Sequence, residues 1–267
     1  MRLVTLSERK KITVEILENI AIFCEENNIS YYLAYGSLLG AVRHNGFIPW
    51  DDDIDIWMFR DDYNRFTKLF NKNLNPNYVL VNMNNADNYN LAFSKVYDKR
   101  TDLTDGGYKT PALGINVDIF PLDFLSSDLQ QAKRMVKQVK KWKILLKLQS
   151  ANVRKDRNII INIGIIISRM ICRKSVLYLI EKKIQKYNII IDSKYCGNLT
   201  TLPYGDREIL KKEWFDNTIR VCFENKTFKA PIGYHEVLKN IYGDYMVLPP
   251  KEKQVQHANI AYWREGL

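Results

Sequence analysis

The chain has 267 residues, 46% of them hydrophobic, and carries a formal net charge of +10, a composition that supports a sizeable buried core and excludes a disordered chain. Cys24, Cys172, Cys196 and Cys222 stand far apart, with no Cys-x-x-Cys pair and no histidine at zinc spacing. A zinc module is thereby excluded, and reduced, buried thiols of a cytoplasmic protein are expected.

The charge is local. Between Lys133 and Lys186 sixteen Lys and Arg stand against only Asp156 and Glu181, a net of +14, which leaves −4 for the rest of the chain. At the N-terminus, Met1 to Lys11 lacks the apolar stretch of a signal peptide, so export is not expected.

In chain order, the first element reads as an amphipathic helix, with Ser7 as N-cap and Ile12, Ile16, Leu17, Ile20, Phe23 and Cys24 on one face. Tyr31 to Tyr35 has the character of a buried strand, followed by the Gly36-Ser37 turn and a helix starting at Leu38. A loop over Arg43 to Trp50 leads into Asp53-Ile54-Asp55-Ile56, whose period-two alternation predicts a strand. Asp61 to Asn71 reads as helix, and Val79 to Val81 and Ala92 to Tyr97 as strands. Ile115 to Phe120 alternates again and puts Asp118 on a polar strand face. From about Asp128 to Asn188 the pattern is helical and basic, and Gly and Pro then punctuate shorter elements. The apolar run Ile159 to Ile167 falls short of the roughly 20 residues a spanning helix needs.

Asp51, Asp53 and Asp55 sit at i, i+2 and i+4, so an extended backbone points them one way at intervals of roughly 6.5–7 Å. Like charges so placed repel unless solvent or a cation offsets them, and Ile54 and Ile56 argue for a strand packed on a core. A divalent ion held through oxygen is one remedy; an acidic surface turn that binds nothing is the other. The Gly36-Ser37 turn, ahead of a helix start, adds backbone N–H groups and a hydroxyl suited to phosphate oxygens. With Asp118 these residues make a minimum kit for phosphoryl or nucleotidyl transfer.

The stretch from Ala34-Tyr35-Gly36-Ser37 through His44-Asn45-Gly46-Phe47-Ile48-Pro49-Trp50 to Asp51-Asp52-Asp53-Ile54-Asp55-Ile56 resembles the signature of the LicD family. These are phosphocholine transferases of bacterial surface glycans, with fukutin-type polyol-phosphate transferases as relatives. Val117-Asp118-Ile119-Phe120-Pro121-Leu122-Asp123 resembles the family's second acidic strand, and Tyr242-Gly243-Asp244-Tyr245 with Pro249-Pro250 its C-terminal motif. The chain departs from the pattern after Pro250: relatives tend to carry paired histidines there, and only His257 matches.

The resemblance implies an α+β fold with a nucleotidyltransferase-type mixed sheet, flanking helices and a basic helical subdomain. The chain accordingly divides into a nucleotidyltransferase-like catalytic core (1–127), a basic helical insertion (128–190) for which a membrane surface is one candidate role, and a C-terminal part completing the domain (191–267). The resemblance further implies that Asp53, Asp55 and Asp118 are the catalytic carboxylates and hold Mg²⁺ or Mn²⁺. Phosphocholine, or a related phospho-alcohol, would move from CDP-choline or another CDP-alcohol to a hydroxyl of a glycan or lipid-linked glycan (teichoic acid, capsule or lipopolysaccharide), releasing CMP. Glycerol- or ribitol-phosphate transfer, and attachment of NMP to a protein, RNA or small molecule, are the alternative activities; a non-catalytic membrane-surface scaffold that keeps the fold is the rival from another class, against which the intact carboxylate set argues.

Gly36 and Ser37 are the expected donor-phosphate site. Arg43 is a candidate phosphate contact or a helix-end salt bridge, and Lys95 a second phosphate contact or a solvated strand lysine. His44 is a candidate base or a packing residue, Trp50 a stacking platform or a core anchor, and Asp51 a water-mediated metal contact or a turn cap. In the basic segment Trp142 and its apolar neighbours alternate with lysines. An anionic membrane surface on the inner face of the cell membrane is a candidate partner there, beside a simply solvated helical face; nucleic acid is not expected.

Overall fold

The computed structural model describes residues 2–72, 75–86, 89, 91–104, 113–151, 153–154, 158–186, 193–255 and 260–264. A short strand β1 (Arg2–Val4) leads into helix α1 (Leu6–Glu26). The helix is closed by a capping box: Thr5 Oγ1 accepts from the Glu8 N–H at 3.2 Å, and Glu8 Oε2 accepts from the Thr5 N–H at 2.9 Å. The cap is therefore Thr5 and not Ser7, which lies inside the first turn, because only Thr5 has a glutamate three residues on to answer it. Ile16, Leu17, Ile20 and Cys24 are fully buried on the sheet side.

The chain then forms β2 (Tyr32–Leu33), α2 (Tyr35–His44), β3 (Asp55–Phe59), α3 (Arg60–Leu69), β4 (Tyr78–Val81), β5 (Ser94–Asp98), β6 (Thr101–Thr104) and β7 (Asn116–Leu125). Helices α4 (Leu129–Ser150), α5 (Ile159–Arg169) and α6 (Arg173–Gln185) follow, then β8 (Tyr195–Gly197) and β9 (Leu210–Lys211). The hairpin β10 (Thr218–Phe223) and β11 (Lys226–Pro231), helix α7 (Tyr234–Tyr242) and β12 (Ile260–Trp263) complete it.

The main sheet runs β2-β3-β7-β5-β4, with β8 on the far end of β7 and β9 on β8. Among the described residues only β3 and β7 are parallel neighbours; the other pairs of this sheet are antiparallel. The architecture is thus α+β with a mixed sheet, as expected. A small sheet, β1-β12-β6, ties the two ends of the chain together.

Three expectations need correction. The strand read over Tyr31 to Tyr35 is only Tyr32–Leu33, since the chain turns into α2 at Tyr35 instead of Leu38. Asp53 and Ile54 precede β3, which begins at Asp55. Cys172 and Cys222 are exposed, and only Cys24 and Cys196 are buried; Cys172 sits at the start of α6, where its backbone turns outward, and Cys222 alternates onto the open side of the hairpin.

Among the described residues three clusters of buried side chains form the interior, the smallest of them Val81, Tyr89 and Leu113; the other two are larger. One surrounds the main sheet, α1, α2 and the hairpin; the second lies under α4 and α6, with Val136, Val139, Val176, Ile180 and Ile184 meeting Leu199 and Ile209. Arg60 bridges them. Its guanidinium forks onto Asp123 at 2.7 and 2.9 Å, with both side chains nearly inaccessible, and reaches Glu181 of α6 at 3.5 Å. Among the described residues no helix is long and apolar enough to cross a membrane.

A buried guanidinium stripped of its carboxylate is an uncompensated charge in a low-dielectric interior. Asp123→Ala is expected to lower unfolding free energy by about 3–5 kcal/mol, read from a urea titration.

Candidate active site

The site starts from the pairing of β3 with β7. Their register sets Asp55 directly beside Asp118, and the antiparallel pairing of β5 with β7 sets Lys95 on the other side of Asp118. Side chains of paired residues leave a sheet on the same face, with strands roughly 4.8 Å apart. Asp55, Asp118 and Lys95 therefore form a row across three strands. The Lys95 ammonium is bonded to Asp118 and donates to Asn116 Oδ1 at 3.0 Å.

Asp51 and Asp53 approach the row from the preceding loop, while Asp52 points the other way and pairs with Arg9 at 2.7 Å in the interior. Gly36 permits this arrangement. A Cβ there would stand 2.7 Å from Asp51 Oδ2, so any larger residue would displace that carboxylate. Ser37 is buried, and its Oγ accepts from the Asp55 N–H at 2.8 Å, fixing the first residue of β3 from α2.

Asp51, Asp53, Asp55 and Asp118 line an open cleft of about 1030 Å³, to which Asp244, after α7, also contributes. Burial, followed by the charges of Asp53, Asp118 and Asp51, holds the Asp55 carboxyl well above the usual range. Burial also raises Asp51. Among the described residues no three potential ligands already close on one point as a finished metal cage. The donor set nonetheless fits a hard divalent cation, being oxygen only and carrying crowded negative charge that a cation would relieve.

Arg43 lines the cleft and donates from Nη1 to the Tyr245 carbonyl at 2.6 Å, joining α2 to the segment after α7. Its Nε donates to His44 Nε2 at 2.9 Å. Burial and then the Arg43 charge hold that imidazole below its ordinary range, in keeping with its role as acceptor, and His44 is not part of the cleft lining. Trp50 packs against the main core and shows one side to the cleft. His257 lies outside the described residues.

Sequence reasoning missed an aromatic cluster in the same cleft. Tyr35, Phe93, Phe120, Tyr204 and Tyr242 line it beside the acids, Phe120 on the Asp118 face of β7 and Phe93 against the Lys95 ammonium, with ring centroids 4.4 Å apart for Phe93–Phe120, 5.6 Å for Tyr35–Phe120, 5.7 Å for Tyr35–Tyr204 and 5.1 Å for Tyr204–Tyr242. Tyr35, Phe120 and Tyr242 fall within the family motifs, and alternation puts Phe120 on the Asp118 face, but nothing in their spacing links them to Phe93 or Tyr204. Tyr35 has a φ of 43°, a strained conformation for a bulky residue. Its hydroxyl donates to Glu208 Oε2 at 2.6 Å and accepts from Asn198 Nδ2 at 2.9 Å, which holds it there.

A cleft with carboxylates on the end of a parallel strand pair and an uncapped helix start beside them is the site of a nucleotidyltransferase-type domain. The family model "LicD/FKTN/FKRP, nucleotidyltransferase domain" matches residues 28–142. The lipopolysaccharide cholinephosphotransferase LicD of Haemophilus influenzae is 34% identical over 96% of this chain and 97% of its own length. The ribitol 5-phosphate transferase FKRP of Homo sapiens is 42% identical over 45 residues, 17% of this chain and 9% of that protein. The chain belongs to the LicD family.

Burial pushes the Glu208 carboxyl up to about 7, above its unfolded value, so the folded state binds this proton more tightly than the unfolded chain does. The group's contribution to stability therefore falls as pH rises from the unfolded pKa to the folded one. Urea midpoints of wild type and Glu208→Gln, compared between about pH 5 and pH 8, should show wild type losing ground to the variant as pH increases.

Proposed function

We propose that the protein transfers phosphocholine from a CDP-linked donor to a hydroxyl of a lipopolysaccharide-type glycan precursor, releasing CMP. The observation that carries this reading is the cluster of aromatic rings that lines the same cleft as the carboxylate row. The quaternary ammonium of choline is attracted to aromatic faces and to nearby negative charge, and the Haemophilus relative is named for cholinephosphate transfer to lipopolysaccharide. A polyol has no charge for such a cluster to read.

Asp53 and Asp55 are the proposed holders of a divalent ion, which when bound would neutralise the donor's diphosphate and the charge on departing CMP. The first turn of α2, where Ala34 makes no side-chain cap, supplies N–H groups toward the donor phosphates at Gly36. Ser37 acts through Asp55, whose N–H it holds, and Arg43 keeps the Tyr245 segment over the cleft. The acceptor oxygen forms a bond to the choline-bearing phosphorus as the bond from that phosphorus to the oxygen of CMP breaks. CMP leaves with the electron pair, and Asp118, oriented by Lys95, takes the hydroxyl proton.

The test supplies Mg²⁺ or Mn²⁺, a glycan acceptor and, in turn, CDP-choline, CDP-glycerol and CDP-ribitol, and measures CMP. CDP-choline is expected to be the best donor. Asp53→Asn and Asp118→Asn should each lower the rate by roughly 10²-fold or more. Tyr204→Ala should raise KM for CDP-choline by about 2–30-fold, with a smaller effect on CDP-ribitol. CMP from a polyol donor alone would replace choline with a polyol, and pyrophosphate from an NTP would replace the reaction with nucleotidyl transfer.

A further inference from the structure

Helix α5 is apolar on the side turned away from the protein. Ile165 and Ser168 are its buried residues, at 0% and 2% exposure, whereas Ile160 is 74% and Met170 83% exposed. At 3.6 residues per turn, Ile159, Ile163, Ile166 and Met170 follow one another along a single stripe, with Ile160 and Ile167 beside it. All six are exposed, as is Ile171 just after the helix. A contiguous apolar face of this kind on a water-soluble surface marks an interaction site.

We infer that this face docks the protein on an anionic lipid bilayer, with α5 lying in the interface. Charge decides the occupant. Arg154 and Arg169 are exposed at the two ends of the stripe; Arg154 is folded back onto α5 by reciprocal bonds with Asn162 at 2.7 and 3.3 Å. No Asp or Glu occurs from Asn158 to Ile180. An apolar stripe in a cationic rim complements anionic headgroups over acyl chains. A second copy seated on the same face would bring like-charged rims together.

The length agrees as well, because 11 residues of helix are too short to span a bilayer and suit the interface plane. Trp142, in the stretch for which the sequence offers a membrane surface beside a solvated helical face, is half-buried against the second core. The docking element is therefore α5 and not α4. The inference deepens the proposed function, since a lipid-linked acceptor places the reaction at a bilayer, and it is tested without donor or acceptor so that either can fail alone.

The full chain is pelleted with vesicles of equal parts phosphatidylcholine and phosphatidylglycerol. Wild type is expected to sediment with them and to bind phosphatidylcholine-only vesicles at least about tenfold less. Ile163→Asp combined with Ile167→Asp should weaken binding by at least about tenfold, with circular dichroism and the unfolding midpoint unchanged because both residues are exposed. The milder pair Ile163→Ser and Ile167→Ser should weaken it in the same direction. Wild type remaining in the supernatant, or both variants binding as wild type does, overturns the inference. A dimer in sedimentation velocity that the aspartates dissociate, without vesicle binding, overturns it in favour of a second copy.

Discussion

Negative charge crowded at the end of two parallel strands is the constraint around which the molecule is arranged. The register of β3 on β7 makes neighbours of Asp55 and Asp118, and the loop ahead adds Asp51 and Asp53. An arrangement of this kind is unfavourable unless its surroundings hold it in place. Lys95 from β5 answers one carboxylate, and Ser37 holds the backbone of another. The energy for keeping such groups together comes from elsewhere, including the fully buried Ile56, Val117 and Ile119 on the same strands and Ile54 just ahead of β3. Stability and reactivity thus reside on opposite faces of the same few residues.

The supports arrive from distant parts of the chain. Arg43 ties α2 to Tyr245, Tyr35 is held by Glu208 and Asn198, and Arg60 joins the sheet to α6 through Asp123 and Glu181. Each joins segments more than a hundred residues apart, except the Arg60–Asp123 pair. Elements after residue 190 therefore contribute one wall of the cleft, even though the acids lie in the first half of the sequence. That division explains why a relative aligned over nearly the whole chain says more about this protein than a match confined to the acidic signature.

Much of the acidic side was legible beforehand. Alternation placed Asp55 and Asp118 on polar strand faces, because a period of two is a local property that neighbouring residues carry by themselves. Their adjacency was not local, since it depends on which strands pair and in what register. The aromatic cluster was missed for the same reason: Phe93, Tyr204 and Tyr242 come from three separate regions. Nothing in the sequence around Glu208 marks it out, and only burial gives it its role. The N-cap at Thr5 was within reach, for the Thr-x-x-Glu spacing of a capping box is present in the sequence.

The turn of the β10–β11 hairpin, at Glu224 and Asn225, adopts left-handed φ values of 50° and 60°. Glu224 Oε1 accepts from the Phe47 N–H at 3.1 Å, its N–H donates to the Asn45 carbonyl at 2.9 Å, and a Cβ on Gly46 would lie 2.3 Å from its carboxylate. Hairpin tips ordinarily vary freely in length and composition during evolution. This one is tied to the very loop that carries Trp50 and Asp51. An inserted or deleted residue at the tip would be transmitted to the acids, so an apparently peripheral bend is as constrained in length as the strands of the centre.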